Sequence, residues 1–268
     1  MRDEALTSYR IAVAEKYAEV LTHFYVARND SALPVSKTLV PTFQAILVFN
    51  FGEPAQVILE GSQEIHGGKC LVFGPVKKQL TYLVQPGSEL LVVNFKDDAF
   101  YRFFGNALAG EQVPVHPDAL LDTNCFEQLW HRLSLMKCVE ERIRPLLDLC
   151  EPYLKNRNPI AAQLADFSDE TQNEVKAVAA DMQISERTVQ KAYKKHFGFT
   201  SKEKQRYQRF LRLIRALHKA KEMVDWQNIA YRYGYYDQSH LIHDFNYYLG
   251  VSPEQYLKSR EDMCLGNL

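Results

Sequence analysis

Cysteine is scarce and unpatterned in this chain: Cys70, Cys125, Cys138, Cys150 and Cys264, with no C-x-x-C pair among them. An odd, scattered set offers neither a disulfide framework nor a zinc site, and fits reduced thiols packed as small apolar residues. Long apolar runs are missing too, so no membrane span is expected. The opening MRDEALTSYRIAVAEKYAEV mixes acids and bases and lacks the apolar stretch of a signal peptide. That predicts a cytoplasmic protein. The chain as a whole also lacks a surplus of either charge, with 32 Lys+Arg against 33 Asp+Glu.

The 268 residues, 46% apolar and 24% charged, describe an ordinary globular protein long enough for two domains. Charge is unevenly placed within it. From Glu170 onward there are 16 basic and 12 acidic residues, against 16 and 21 before it. Between Arg187 and Lys221 the imbalance sharpens to 12 basic residues against a single acid, Glu203. A charge run is usually a solvated face. One this one-sided, inside the helical pattern described below, predicts a surface facing phosphates, where Lys and Arg gain affinity by releasing counterions.

Residues up to about 115 read as β-rich. VLTHFYV (Val20–Val26), TFQAILVFNF (Thr42–Phe51), AQVILEG (Ala55–Gly61), KCLVFGP (Lys69–Pro75), KQLTYLVQPG (Lys78–Gly87) and ELLVVNFK (Glu89–Lys96) are short runs separated by turn residues. Such spacing predicts an antiparallel sandwich or barrel. EIHGGK reads as a hairpin turn, with Gly67 and Gly68 free to adopt positive φ. From Asp118 the periodicity becomes helical: Phe126, Leu129, Trp130, Leu133, Met136 and Cys138, then Ile143, Leu146, Leu147, Leu149 and Cys150 beyond Pro145. Pro145 is expected to mark a break or the first turn of a new helix. A linker is expected over Lys155–Glu170, with a turn at Asn158-Pro159 and Ser168 capping the following helix.

Two later stretches share one pattern. VKAVAADMQISERTVQKAYKKHFGFT (Val175–Thr200) and IAYRYGYYDQSHLIHDFNYYLGVSP (Ile229–Pro253) each give a short apolar helix, a tight turn and a second helix with a polar face. A long helix, roughly Ser201–Lys221, joins them. Two helix-turn-helix units are therefore predicted, and the second helix of such a unit has the width of the DNA major groove. In the first unit Arg187, Gln190, Lys191 and Lys194 share one helix face, with Lys195 beside them. Arg suits guanine O6 and N7; Gln suits adenine N6 and N7. In the second unit Gln238, Ser239, His240 and His243 take the corresponding face. Asp237 reads as a helix cap, Gly234 as a left-handed turn, and Trp226, Ile229, Leu241, Phe245 and Tyr256 as core.

This layout resembles the AraC/XylS family of bacterial transcription regulators. IAYRYGYYDQSHLIHDFNYYLGVSPEQY follows that family's IA-x-x-x-GF-x-D-x-SHF-x-R-x-FK-x-x-x-GVSP-x-x-Y pattern at Ile229, Ala230, Gly234, Asp237, Gln238, Ser239, His240, Phe245, Gly250, Val251, Ser252, Pro253 and Tyr256. The first unit matches at Ala179, Ser185, Arg187, Thr188, Val189, Gln190, Lys194 and Gly198. Two departures matter: His243 stands where the family has Arg, and Asn246 where it has Lys. Both remove positive charge from the second unit, so the first should carry more of the affinity. Ser201 replaces the family's Pro at the start of the long helix.

The resemblance implies an α+β protein. Its parts would be an N-terminal cupin-like antiparallel β-barrel for sensing or dimerisation (1–117), a helical linker (118–168) and an all-α double helix-turn-helix DNA-binding domain (169–268). It further implies double-stranded DNA as partner, a homodimer, RNA polymerase as a second partner, and an unidentified small-molecule effector. A ligand-independent regulator, whose N-terminal domain serves protein–protein interaction only, is the alternative. Phe95, Phe100, Tyr101, Phe103 and Phe104 would either line a ligand pocket or form a packed plug, and Trp130, Leu133, Met136 and Leu147 would either form a dimer interface or pack on the barrel. No cofactor, catalytic residue or metal is expected. His240 and His243 lack a third ligand nearby, His66 and His116 stand alone, and EIHGGK lacks the paired histidines of metal-binding cupins. An alkyl-transfer enzyme fused to a DNA-binding domain would need an activated cysteine, and Cys70, Cys125, Cys138 and Cys150 lie in no such context.

Overall fold

The computed structural model describes residues 6–58, 64–108, 113–121, 124–151, 154–169, 172–219 and 224–259. Cys264, Glu170 and Lys221 lie outside them. The β-rich half contains β1 (Leu6–Ala12), β2 (Leu21–Asn29), β3 (Val35–Leu39), β4 (Ile46–Phe51), β5 (Gln56–Ile58), β6 (Glu64–His66), β7 (Cys70–Phe73), β8 (Leu80–Val84) and β9 (Glu89–Phe95). These strands form two antiparallel sheets, ordered β1-β2-β9-β4-β7 and β3-β8-β5-β6. The expected closed barrel is thus corrected to two separate sheets. The chain passes from one sheet to the other at almost every connection after β2, so the strands face each other across side chains instead of closing one hydrogen-bonded ladder.

Side-chain alternation explains why TFQAILVFNF reads as an unbroken apolar run. Ile46 and Val48 point between the sheets with Leu71, Phe73 and Leu90. Leu47, Phe49 and Phe51 point the other way with Cys70, Val72, Leu91, Val93 and Phe95. Both faces of the larger sheet are covered, so both faces of β4 are apolar. The second cover is helical: α1 (Ala99–Phe104), α2 (Pro117–Leu121), α3 (Cys125–Ser134) and α4 (Val139–Cys150). Phe100, Phe103, Phe104, Phe126, Leu129, Leu133 and Leu146 lie in that core, with Trp130, Met136 and Leu147 packed against it. The phenylalanines of α1 therefore form a plug, and the apolar face of α3 and α4 packs on the sheet.

Several local expectations are corrected. EIHGGK is not a bare turn: Glu64–His66 pairs with β5. Neither Gly67 nor Gly68 has positive φ. Gly67 is needed for close approach, since a Cβ there would sit 2.8 Å from the Ala55 carbonyl oxygen. Pro145 lies inside α4, and the break falls earlier, between α3 and α4. Asn158-Pro159 starts a helix instead of a loop. Asn158 Oδ1 accepts from the Ile160 and Ala161 amides, and Pro159 occupies the first helical turn. The cap of the next helix is Asn173, not Ser168.

The C-terminal half contains α5 (Pro159–Asp166), α6 (Glu174–Asp181), α7 (Glu186–Phe197), α8 (Ser201–Lys219), α9 (Trp226–Arg232), α10 (Gln238–Leu249) and α11 (Pro253–Ser259). It has two apolar centres. One joins α5, α6 and α7 through Leu164, Val175, Val178, Val189, Tyr193 and Phe197. The other joins α8, α9, α10 and α11 through Phe210, Leu213, Ala230, Leu241, Phe245 and Tyr256. Among the described residues no helix is long and apolar enough to cross a membrane.

Candidate nucleic-acid interface

Both predicted units are present, and the same local chemistry builds them. α7 and α10 are each 12 residues long. Ser185 caps α7 by accepting from the Thr188 amide, and Asp237 caps α10 by accepting from the His240 amide. Each ends on a left-handed glycine, Gly198 at φ 77° and Gly250 at φ 61°. The turns before them are related but unequal. After α6, Gln183 is left-handed and the Ile184 amide reaches back to the Ala179 carbonyl. After α9, Gly234 is left-handed and the Tyr235 amide reaches back to the Ala230 carbonyl. Ile184 is followed at once by the cap Ser185, whereas Tyr236 stands between Tyr235 and the cap Asp237. The second turn is thus one residue longer, and the extra residue, Tyr236, is 93% exposed.

Two buried carboxylates hold the helices in place. Glu174 on α6 accepts from the Tyr193 hydroxyl at 3.4 Å, the Ser201 hydroxyl at 2.7 Å and Lys204 Nζ at 3.4 Å. Asp244 on α10, fully buried, accepts from Arg206 at 2.7 Å and Arg209 at 3.1 Å. α8 starts with a reciprocal cap: the Thr200 amide donates to Glu203, and the Glu203 amide donates to Thr200 Oγ1. Burial works against the Glu203 charge, but hydrogen bonds from Thr200 and Lys77 hold its carboxyl below the usual range. The basic window is therefore divided. Lys204, Arg206 and Arg209 bind internal carboxylates, a use the sequence pattern did not separate from phosphate contact.

Arg187, Gln190, Lys191, Lys194 and Lys195 all lie exposed on α7. They line one side of an open cleft whose other wall is Tyr101, Gly105, Asn106 and Ala107 of the β-domain. Lys195 Nζ lies 5.8 Å from the Tyr101 ring centre. His196, on the inner side of α7, stacks edge-on against Tyr101 at 4.4 Å. Burial lowers the His196 pKa, with Asp98 opposing and Lys195 adding to the shift. Gly198 also presses on the β-domain: a Cβ there would lie 2.7 Å from the Ala107 carbonyl oxygen and 2.9 Å from Pro75. On α10, Gln238, Ser239 and His243 are exposed. His240 is half-buried, with Nε2 3.1 Å from Arg209 and its ring edge-on to Tyr235 at 5.3 Å. Three of the four predicted α10 residues thus share the open surface, while the His240 ring turns toward α8. Tyr231, 86% exposed on α9, and Tyr236 also lie on the surface, and nothing in the run Tyr231, Tyr233, Tyr235, Tyr236 separates these exposed rings from the buried Tyr235.

A cavity of about 210 Å³ lies between the two sheets. Its walls are apolar at Ile46, Val48 and Val92, with polar groups from Arg10, His23, Tyr25 and Asn94. Tyr207 and Leu211 of α8 close one end, so the helical half forms part of this chamber. Burial, and then the nearby Arg10 charge, lowers the His23 pKa. The Cys70 Sγ lies 3.2 Å from His116 Nε2, and burial, followed by the Asp118 charge, pushes the thiol up to about 12.

Residues 178–259 match a family described as a helix-turn-helix domain. No curated protein matches the chain. ToxT from Vibrio cholerae O395, bound to (E)-4-(8-methylnaphthalen-1-yl)but-3-enoic acid, is similar at 10% identity and a TM-score of 0.40, over 95% of this chain and 98% of that one. Unsaturated fatty acid-bound ToxT from strain SCE256 is similar at 12% identity and a TM-score of 0.39, over 87% and 94%. A cupin domain of an XRE family transcriptional regulator from Enterobacter cloacae is similar at 9% identity and a TM-score of 0.26, over 33% of this chain and 95% of that one. The matched residues run from within α6 to the end of α11 and form a helix-turn-helix domain.

Proposed function

We propose that the protein is a sequence-specific DNA-binding transcription regulator, with α7 and α10 as its reading helices. The observation that carries this is the repeated unit: two equal helices, each capped by a side chain, each ended by a left-handed glycine, each with an exposed polar face. Arg187, Gln190, Lys191 and Lys194 read bases or phosphates from α7, and Lys195 holds the backbone. Gln238, Ser239 and His243 do so from α10, while His240 positions Arg209. Tyr236, the added residue before the α10 cap, supplies a hydroxyl to a phosphate and makes up part of the affinity lost with the charges at His243 and Asn246. Binding to a random-sequence duplex pool tests the reading: enrichment of one bipartite sequence supports it, and equal affinity for all duplexes overturns it.

The chamber between the sheets is the seat of control by a small molecule. It is apolar with a few polar groups, which is how small-molecule sites are built, and α8 forms part of its wall. Sensing belongs to residues 1–117, α3 and α4 of 118–168 support the sheet, and 169–268 bind DNA together with α5, which shares their core. Homodimerisation would bring four reading helices to one site, and contact with RNA polymerase would turn binding into activation. No catalytic step is assigned to the protein. Thermal-shift screening of the full chain against metabolites separates ligand control from the ligand-independent alternative.

A further inference from the structure

We propose that Phe43, a residue of the β-domain, is a positioning residue for DNA recognition that sets the separation of the two reading helices; this rests on α7 and α10 reading DNA. The two units have separate apolar centres. Among the described residues Phe43 is the one that packs against both. Its ring stacks on Tyr207 at 4.3 Å and 14°, and meets Tyr248 of the second unit at 6.5 Å. The same ring stands edge-on to Phe199 of the first unit at 5.1 Å. A side chain from outside the DNA-binding domain thus fills the angle between its halves.

The loop that carries Phe43 is fixed from behind. The Thr42 and Phe43 amides both donate to the Val76 carbonyl at 3.0 Å, and the Val76 amide donates to Gln44 O at 3.0 Å. The Tyr207 hydroxyl donates to the Pro41 carbonyl. Phe43 itself has φ 56°, a left-handed backbone that a phenylalanine adopts only where its surroundings impose it. Its neighbours Val40, Pro41, Thr42 and Gln44 all line the chamber between the sheets. The loop therefore touches a chamber occupant on one side and both reading units on the other. An occupant that shifts the loop shifts the wedge, and the wedge changes the spacing at which α7 and α10 meet the duplex.

The test uses the full-length protein and the sequence enriched from the duplex pool, with one to three base pairs inserted between the segments read by α7 and α10. Wild type loses about tenfold or more in affinity as the spacer departs from its optimum, a difference of roughly 1.4 kcal/mol. Phe43→Ala binds the optimal site about tenfold more weakly and shows affinities flat to within about twofold across spacers. Phe43→Leu, which keeps an apolar wedge, retains a spacer optimum. Val92→Phe, which fills the chamber, changes affinity for the optimal site in wild type and leaves it unchanged in Phe43→Ala. Wild-type spacer dependence in Phe43→Ala, or an equal effect of Val92→Phe in both backgrounds, overturns the inference alone. A wild type with no sequence preference overturns the DNA reading, and this inference with it.

Discussion

Single side chains on the open faces carry predictions that differ in kind. Arg187→Ala is expected to cost about 1–3 kcal/mol at one base pair and to relax the preference there. Lys195→Ala is expected to weaken every duplex alike and to flatten the salt dependence by roughly one unit of slope. Binding isotherms at several salt concentrations, on matched and mismatched duplexes, separate the two. Tyr236→Phe tests the hydroxyl of the added turn residue, and an unchanged affinity would remove it from the interface. Histidine gives a pH effect with a definite sign. His23 and His196 both have lowered pKa values, chiefly through burial. The unfolded chain therefore holds more protons below its ordinary histidine pKa of about 6.5, and stability is lost as pH falls through and below that value. The thermal midpoint of wild type should fall as pH drops from about 7.5 to about 5.5, and that of His196→Asn should fall less.

Elements show where pattern reading succeeded. The two repeated units, the long α8 and the main strands were legible because their apolar spacing is set by the same burial that holds them. Asp237 was legible as a cap, and Gly234 as a left-handed residue, because those roles need those residue types. Other features depend on partners distant in sequence. Glu64–His66 forms a strand because β5 pairs with it, Asn158 caps a helix where local polarity looked like a linker, and Asn173, not Ser168, caps the helix after it. Nothing in the order of residues marks Asp244 as the buried partner of Arg206 and Arg209. Asp244→Ala leaves two half-buried guanidinium groups without their carboxylate, and is expected to destabilise the helical half by about 2–4 kcal/mol. Denaturant unfolding measures this, and an unaffected midpoint would show that solvent replaces the pair.

At the scale of the molecule, the halves are not beads on a string. Lys77 pairs with Glu203 at 3.0 Å, and Arg157 pairs with the buried Asp98 at 2.8 Å. The Gln79 amide donates to the Tyr248 carbonyl at 3.1 Å. With the Phe43 wedge, these contacts bind both reading units to the β-domain, and none could be inferred from either half alone. A change in the chamber is therefore expected to alter hydrogen exchange in α8 as well as in the strands, where a loosely tethered pair of domains would confine it to the strands.

Gly198 stands where the backbone of one half lies directly against that of the other. Its hydrogen side chain serves two requirements together: the reversed twist that stops α7, and the absence of any atom between α7 and the Ala107 carbonyl. A single methyl group at that point would act as a spacer, prising α7 away from the β-domain. Uncoupling by so small an insertion would leave two folded parts that no longer answer to each other.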